Sequence, residues 1–215
     1  KAILISQTQN AVDQYRFNAH YMPLTAEGGF HSSISFLARV SEFKHINDFQ
    51  NYLARIELLP NYMQQNIYWM KQGIATGLTQ PQAVLAGYEK SISSYIVAPE
   101  QHVLFIPFKN ASQLVKQHRD WQAVKQRAID LIANQVNPAF TNYHQFFVEE
   151  YYPKARQSIG ISAVKNGKAF YQNRAAYYTT TDMEVDAIHQ LGLSEVKRIR
   201  SEMKAIIDEL KFDGD

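Results

Sequence analysis

The chain has 215 residues, 22 Lys+Arg against 20 Asp+Glu for a net charge of +2, and no cysteine. Hydrophobic residues make up 46% and aromatics 13%, which places it among globular chains long enough to bury a core and excludes wholesale disorder. Zero cysteine removes disulfides, thiolate zinc sites, iron–sulfur clusters and cysteine nucleophiles, and the balanced charge gives no electrostatic reason for a nucleic-acid partner.

No run of about 18 apolar residues occurs, so no membrane span is expected. The chain opens on Lys1, and reads as processed or excised, with any secretory signal already gone or never present. Hydrophobic spacing then reads as helix almost throughout. Phe49, Leu53, Ile56 and Leu59 form one stripe behind a capping box at Asn47 and Gln50. Pro60 suits the first turn of a second helix with Met63, Ile67, Met70 and Ile74 on its face, and Gly77 is its stop. The capping box Thr79-Gln80-Pro81-Gln82 predicts a third helix to about Val97, with Val84, Leu85, Tyr88, Ile92 and Tyr95 inward.

The run His102–Phe108 is the best strand candidate, confined by Pro107 to an edge or an extended connector. Helical spacing resumes from Ser112 to about Asn134, and Pro138 fits the start of a further helix carrying Phe140, Tyr143, Phe147 and Tyr151. Asn166-Gly167 is a two-residue hairpin signal, yet Phe170, Arg174 and Tyr177 continue at helical spacing, which favours a loop entering a helix near Lys168. Thr181 to Glu184 is another capping box, opening a short helix that Gly192 closes. Ser194–Leu210 is the clearest helix, with Val196, Ile199, Met203, Ile206 and Leu210 spaced 3, 4, 3, 4. The expected fold is all-α: a multi-helix orthogonal or bundle-like array, one region over 1–215, with a short extended connector near 102–108.

Chemistry is sparse. None of the seven His is followed by Glu, so the zinc-binding helix with two His four apart is absent. His144 and Glu149 sit on poorly matched helix faces, and the adjacent Glu149 and Glu150 point about 100° apart, unlike an acid/base pair. No nucleophile elbow, P-loop or dinucleotide fingerprint occurs. The loop Pro23–His31 has the most chemical texture. Gly28 and Gly29 allow close backbone approach to a ligand and His31 offers a hydrogen bond; the same residues also suit a tight turn with a half-buried His31. Tyr177–Asp182 offers hydroxyls, with Thr181 already explained as a helix cap.

Six blocks in order resemble the bacterial domain-of-unknown-function family 885. They are Tyr21-Met-Pro-Leu-Thr-Ala-Glu-Gly-Gly-Phe-His31, Tyr52–Pro60, Met70–Pro81, Tyr152–Arg156 with Ile159–Ser162 and Asn166-Gly167, Tyr178–Asp182, and Ile188–Gly192 with Val196–Met203. Members of that family are mainly helical, usually much longer, often exported or lipid-anchored, and similar to zinc metallopeptidases of the gluzincin type. Their zinc segment lies in the C-terminal half. This chain ends at Phe212-Asp-Gly-Asp215 without such a segment, so no zinc ligand or general base carries over.

The resemblance therefore implies the N-terminal, non-catalytic part of a zinc-dependent peptidase, with zinc expected in the missing half and none in this chain. It implies a peptide substrate engaged only together with that half, at a cleft to which Gly28, Gly29 and His31 contribute. Tyr171, Tyr177 and Tyr178 are further candidates as carbonyl or oxyanion contacts. It also implies a periplasmic or cell-envelope location, the alternative being cytoplasmic. The rival function is a stand-alone helical binding or scaffold module without enzymatic activity.

Overall fold

The computed structural model describes residues 1–211 and 214; Phe212, Asp213 and Asp215, at the expected end of the chain, lie outside the described residues. Among the described residues there is no strand, only two isolated bridges, Leu24 with Gly29 and Pro81 with Arg156, and the fold is all-α as expected. Packing divides the chain into two compact units, Gln14–Gly160 and Lys1–Asp13 with Ile161–Asp215.

Helix α1 is Ala2–Arg16, α2 is Ile34–Val40, α3 is Ile46–Ile56 and α4 is Leu59–Thr76. The N-terminus of α3 is capped two residues earlier than its sequence suggested, at His45 in place of Asn47. The Asp48 carboxylate accepts from the backbone N–H of His45 and of Lys44, at 2.8 Å each, while Asn47 and Gln50 form no box. These bonds, His45 first, hold the Asp48 carboxyl below its ordinary value. Pro60 lies in the first turn of α4, and Gly77 ends the helix at φ +75°, a left-handed position that favours glycine.

The single helix expected from Thr79 to Val97 does not form. A 3₁₀ turn at Gln82–Val84 and the short α5, Glu89–Ser93, are separated by Gly87 at φ +79°. Nor is 102–108 a strand. Only His102 keeps extended backbone; its Nδ1 accepts from the Leu104 N–H at 3.1 Å, capping the 3₁₀ turn Val103–Phe105. Helix α6, Ile106–Lys109, follows with Pro107 in its first turn, where a missing N–H costs nothing.

Helix α7, Gln113–Lys116, is capped by the Ser112 hydroxyl and breaks before α8, Trp121–Leu131, so the expected helix over 112–134 is two. From Trp121 the chain stays helical to Lys154. Helices α8, α9 (Asn137–Phe146) and α10 (Tyr152–Lys154) are joined by π turns at Ile132–Val136 and Phe147–Tyr151. Each π turn immediately precedes the helical turn holding a proline, Pro138 or Pro153. A proline lacks the N–H and crowds the carbonyl four residues back, and the wider turn absorbs that clash without breaking the rod.

Within 14–160, α4 packs on α9, α3 on α8 and α5 on α9. The core they enclose is aromatic. Phe49 and Phe108 meet edge to face at 5.2 Å, Tyr95 stacks on Phe140 at 4.7 Å, and the buried Tyr52 hydroxyl donates to the Leu104 carbonyl at 3.0 Å. Burial raises the Tyr52 phenol well above its ordinary pKa.

In the other unit, α11 is Gly167–Thr179 and α12 is Val185–Leu210. The loop reading at Asn166-Gly167 holds. Asn166 is left-handed at φ +59°, and a Cβ on Gly167 would lie 1.8 Å from the Ile161 carbonyl oxygen, so only glycine fits there. The helix expected to stop at Gly192 instead runs through it and merges with Ser194–Leu210. Its N-cap is Glu184, and the Thr181 box does not form. The Gln172 side chain bridges the turn, accepting from the Val185 N–H at 2.9 Å and donating to the Met183 carbonyl at 2.8 Å.

Candidate functional site

The turn containing the two glycines is built by short-range hydrogen bonds. Thr25 N–H donates to the Gly28 carbonyl at 2.7 Å, Phe30 N–H donates to the Pro23 carbonyl at 3.1 Å, and Ser32 Oγ both accepts from Gly29 N–H and donates to the Gly29 carbonyl. Gln80 ties the turn to the next segment by donating from Nε2 to the Leu24 carbonyl. A Cβ on Gly29 would lie 2.5 Å from Leu24 Cδ2, 2.8 Å from the Tyr88 hydroxyl and 3.1 Å from the Pro23 carbonyl oxygen. The glycine is thus required by a close approach, and the group approached is a tyrosine of this same chain.

His31 lies beneath the turn, 1% exposed, ringed by Phe30, Tyr88, Tyr95 and Tyr143 with centroid separations of 5.5 to 6.1 Å. Ser91 Oγ donates to the Tyr88 carbonyl at 2.7 Å, so at 3.3 Å from His31 it serves as an acceptor. That assigns the ring proton to Nε2 and leaves Nδ1 a bare acceptor. Nδ1, Tyr88 Oη and Tyr143 Oη are buried with no protein hydrogen-bond partner among the described residues. Desolvation lowers the His31 pKa to about 4, so the imidazole is neutral at pH 7. The Tyr88 and Tyr143 phenols are pushed up, first by burial, then by Tyr151 in the case of Tyr88 and by Tyr88 and Tyr151 in the case of Tyr143. The group is a neutral, buried, polar cluster.

The same unit holds a second polar clasp. Thr79 is buried, and its Oγ1 accepts from the Arg156 N–H at 2.9 Å, while Arg156 Nε donates to the Thr79 carbonyl at 2.8 Å. The Arg156 Nη1 gathers the carbonyls of Ser158, Ile159 and Gly160, and Tyr151 Oη accepts from the Gln80 N–H. Burial lowers the guanidinium pKa somewhat, with Tyr151 opposing it.

The structure brings Gly28, Gly29 and His31 together in 14–160. It places Tyr171, Tyr177 and Tyr178 in the other unit, on α11, where Tyr171 and Tyr178 are exposed and Arg174 lies over the Tyr177 ring at 5.3 Å. Sequence reasoning passed over Tyr88 and Tyr143, reading them only as apolar stripe, and took Thr79 for a helix cap. The adjacent glycines were the one local signal that something bulky comes close. Among the described residues no three His, Asp or Glu side chains are grouped to hold an ion.

A family model of bacterial proteins of unknown function (DUF885) matches residues 1–215. No curated protein matches the chain. Among solved structures, the crystal structure of a presumed lipoprotein from Colwellia psychrerythraea is similar, with a TM-score of 0.71 at 20% identity over 83% of this chain. At that identity the likeness is one of fold. The match covers 31% of that relative, so the chain spans less than a third of its length.

Proposed function

The chain belongs to this DUF885 family, and we propose that it is the N-terminal helical scaffold of a longer, zinc-dependent peptidase, with no catalytic group of its own. The carrying observation is α12, which exposes Val196, Ile199, Met203, Ile206 and Leu210 along one face and buries no residue. A stripe of that size on a stable helix calls for a partner surface. The occupant we assign is the polypeptide that follows in a family-length chain, since the structural relative is more than three times longer than the matched part.

In this reading a zinc ion held by the later polypeptide would supply the activated water. The residues of this chain bind and position. In 14–160 the Gly28–Gly29 turn, with His31 beneath it, is one candidate contact for a peptide; in the other unit, Tyr171, Tyr177 and Tyr178 of α11 are separate candidates that offer hydroxyls. Among the described residues no helix is long and apolar enough to cross a membrane, and a lipoprotein relative suits a cell-envelope location.

The test compares this 215-residue chain with a family-length protein by metal analysis and digestion of a peptide library. Stoichiometric zinc and peptide hydrolysis are expected in the long protein alone. Zinc held tightly by the short chain, or a long protein without hydrolytic activity, overturns the proposal in favour of a binding module.

A further inference from the structure

The spacing of the exposed row on α12 limits what can cover it. Val196, Ile199, Met203, Ile206 and Leu210 alternate in steps of three and four and are 44 to 71% exposed. At 1.5 Å per residue the row runs about 21 Å along the helix axis. A partner helix repeats its own side chains at the same intervals, so knobs and holes stay matched along the whole row. An extended strand repeats one face about every 6.7 Å, and four such steps span about 27 Å. Its side chains would lose register with the row before Leu210.

The two edges of the row differ. Helical geometry sets Glu195, Glu202 and Glu209 along one edge and Leu193, Arg200 and Ile207 along the other. Arg198, outside the acidic edge, bonds both Glu195 and Glu202, and Glu209 is in no ion pair among the described residues. The edge therefore keeps three carboxylates against one guanidinium. Leu193 and Ile207 are exposed apolar side chains, which widens the contact on their side. A second copy of α12 matches these edges poorly. Antiparallel, it sets the acidic edge against itself; parallel, Glu195 meets Arg200 of the copy but Glu202 meets Ile207.

Resting on the reading that later polypeptide of a family-length chain covers α12, we propose that the covering element is an amphipathic helix with a cationic edge. It is at least about four turns long, to match the row. Its apolar side chains fill the row from Val196 to Leu210, and its lysines or arginines stand against Glu195, Glu202 and Glu209.

This chain has no cysteine, so a single one introduced into it reports its own exposure. The comparison is between the 215-residue chain and a family-length protein that carries it with no other cysteine. Met203→Cys, on the row, should react with a maleimide at least about tenfold more slowly in the long protein. Ser201→Cys, on the opposite face of α12, should react equally in both. Adding Glu202→Lys with Glu209→Lys sets like charges against the partner's cations. It should cut the protection of Met203→Cys, measured against the same variant in the short chain, at least about threefold at low salt. Ser201→Lys, a charge added on the opposite face, should leave that protection unchanged. Equal labelling of Met203→Cys at both lengths overturns the covering of α12 and the proposal with it. Protection that extends to Ser201→Cys, or that survives the two lysines undiminished, overturns the proposal while the covering stands. Protection that grows with concentration in the short chain alone shows a second copy on the row, and also overturns it.

Discussion

Helices α4 and α12 carry the same kind of apolar stripe and meet opposite fates. In α4, Met63, Ile67 and Met70 are buried; in α12, Val196, Ile199, Met203 and Ile206 are exposed. The contrast extends to the two units. Every buried hydrophobic side chain among the described residues falls between Leu24 and Ala155, and none lies in 161–211. Full burial of a large apolar side chain contributes ~1.5–3 kcal/mol, so 14–160 is held by its core while α12 forgoes that stabilisation. What supports α12 is local. Arg198 bridges Glu195 and Glu202 on one face, Lys204 pairs with Asp208, and Gln172 caps the first turn. An amphipathic pattern states that a face needs cover; it does not state that the cover lies in the same chain.

Acid should affect the packed unit most strongly, because that unit holds two histidines buried as neutral imidazoles. His31 and His102 both have pKa values lowered by burial from 6.5 to about 4, and both lie in 14–160. Between these values the unfolded chain binds protons that the folded chain refuses. Stability is therefore complete above about pH 6.5 and declines as pH falls toward 4, by ~3 kcal/mol for each histidine. Both tryptophans lie in this unit, so the urea midpoint read by their fluorescence should fall sharply between pH 7 and pH 4.5. A constant midpoint would show that the two imidazoles are not buried neutral.

Large-to-small substitutions come next. Phe140, fully buried and stacked on Tyr95, should cost ~3–5 kcal/mol as Phe140→Ala. Ile199→Ala, on the exposed stripe of α12, should move stability by less than ~0.5 kcal/mol in the 215-residue chain. In a family-length protein the same Ile199→Ala should cost ~2 kcal/mol or more if later polypeptide covers the stripe. Denaturant unfolding of both lengths measures the difference, and an Ile199→Ala cost that stays small in the long protein removes the docking surface.

Helix existence was legible wherever stripe and stop signal agreed, as in α3, α4 with Gly77, and α11 behind Asn166-Gly167. It was not legible where a tertiary contact decided. The Thr79–Val97 stripe gave way because Thr79 serves Arg156 from far along the chain and Gly87 takes a left-handed turn. Pro138 looked like a helix start because the π turn that accommodates it leaves no mark in composition. Thr181 and Gly192 matched a cap and a stop, yet each signal is worth about 1 kcal/mol and the flanking helical run outweighs it. At the candidate site, two adjacent glycines announced a close approach but could not name Tyr88 as the group approached. The burial of His31 depends on three rings from two later segments, Tyr88 and Tyr95 flanking α5 and Tyr143 on α9.

The two units also predict opposite signs for one chemical change. Gly29→Ala puts a methyl group against Leu24 Cδ2, the Tyr88 hydroxyl and the Pro23 carbonyl, of which the last is backbone and cannot rotate away. The turn must shift, at ~1–3 kcal/mol, and Tyr88 and His31 shift with it. Gly192→Ala meets nothing within 4 Å, at a residue inside α12 whose φ is ordinary for a helix. There the methyl group removes backbone freedom from the unfolded chain and should stabilise α12 by ~0.5–1 kcal/mol. Tryptophan fluorescence should report the loss in 14–160, and hydrogen exchange along 185–210 should slow in the second variant. If Gly192→Ala instead speeds exchange there, the helix bends or ends at Gly192 in solution, and the continuous stripe on which docking depends is two shorter ones.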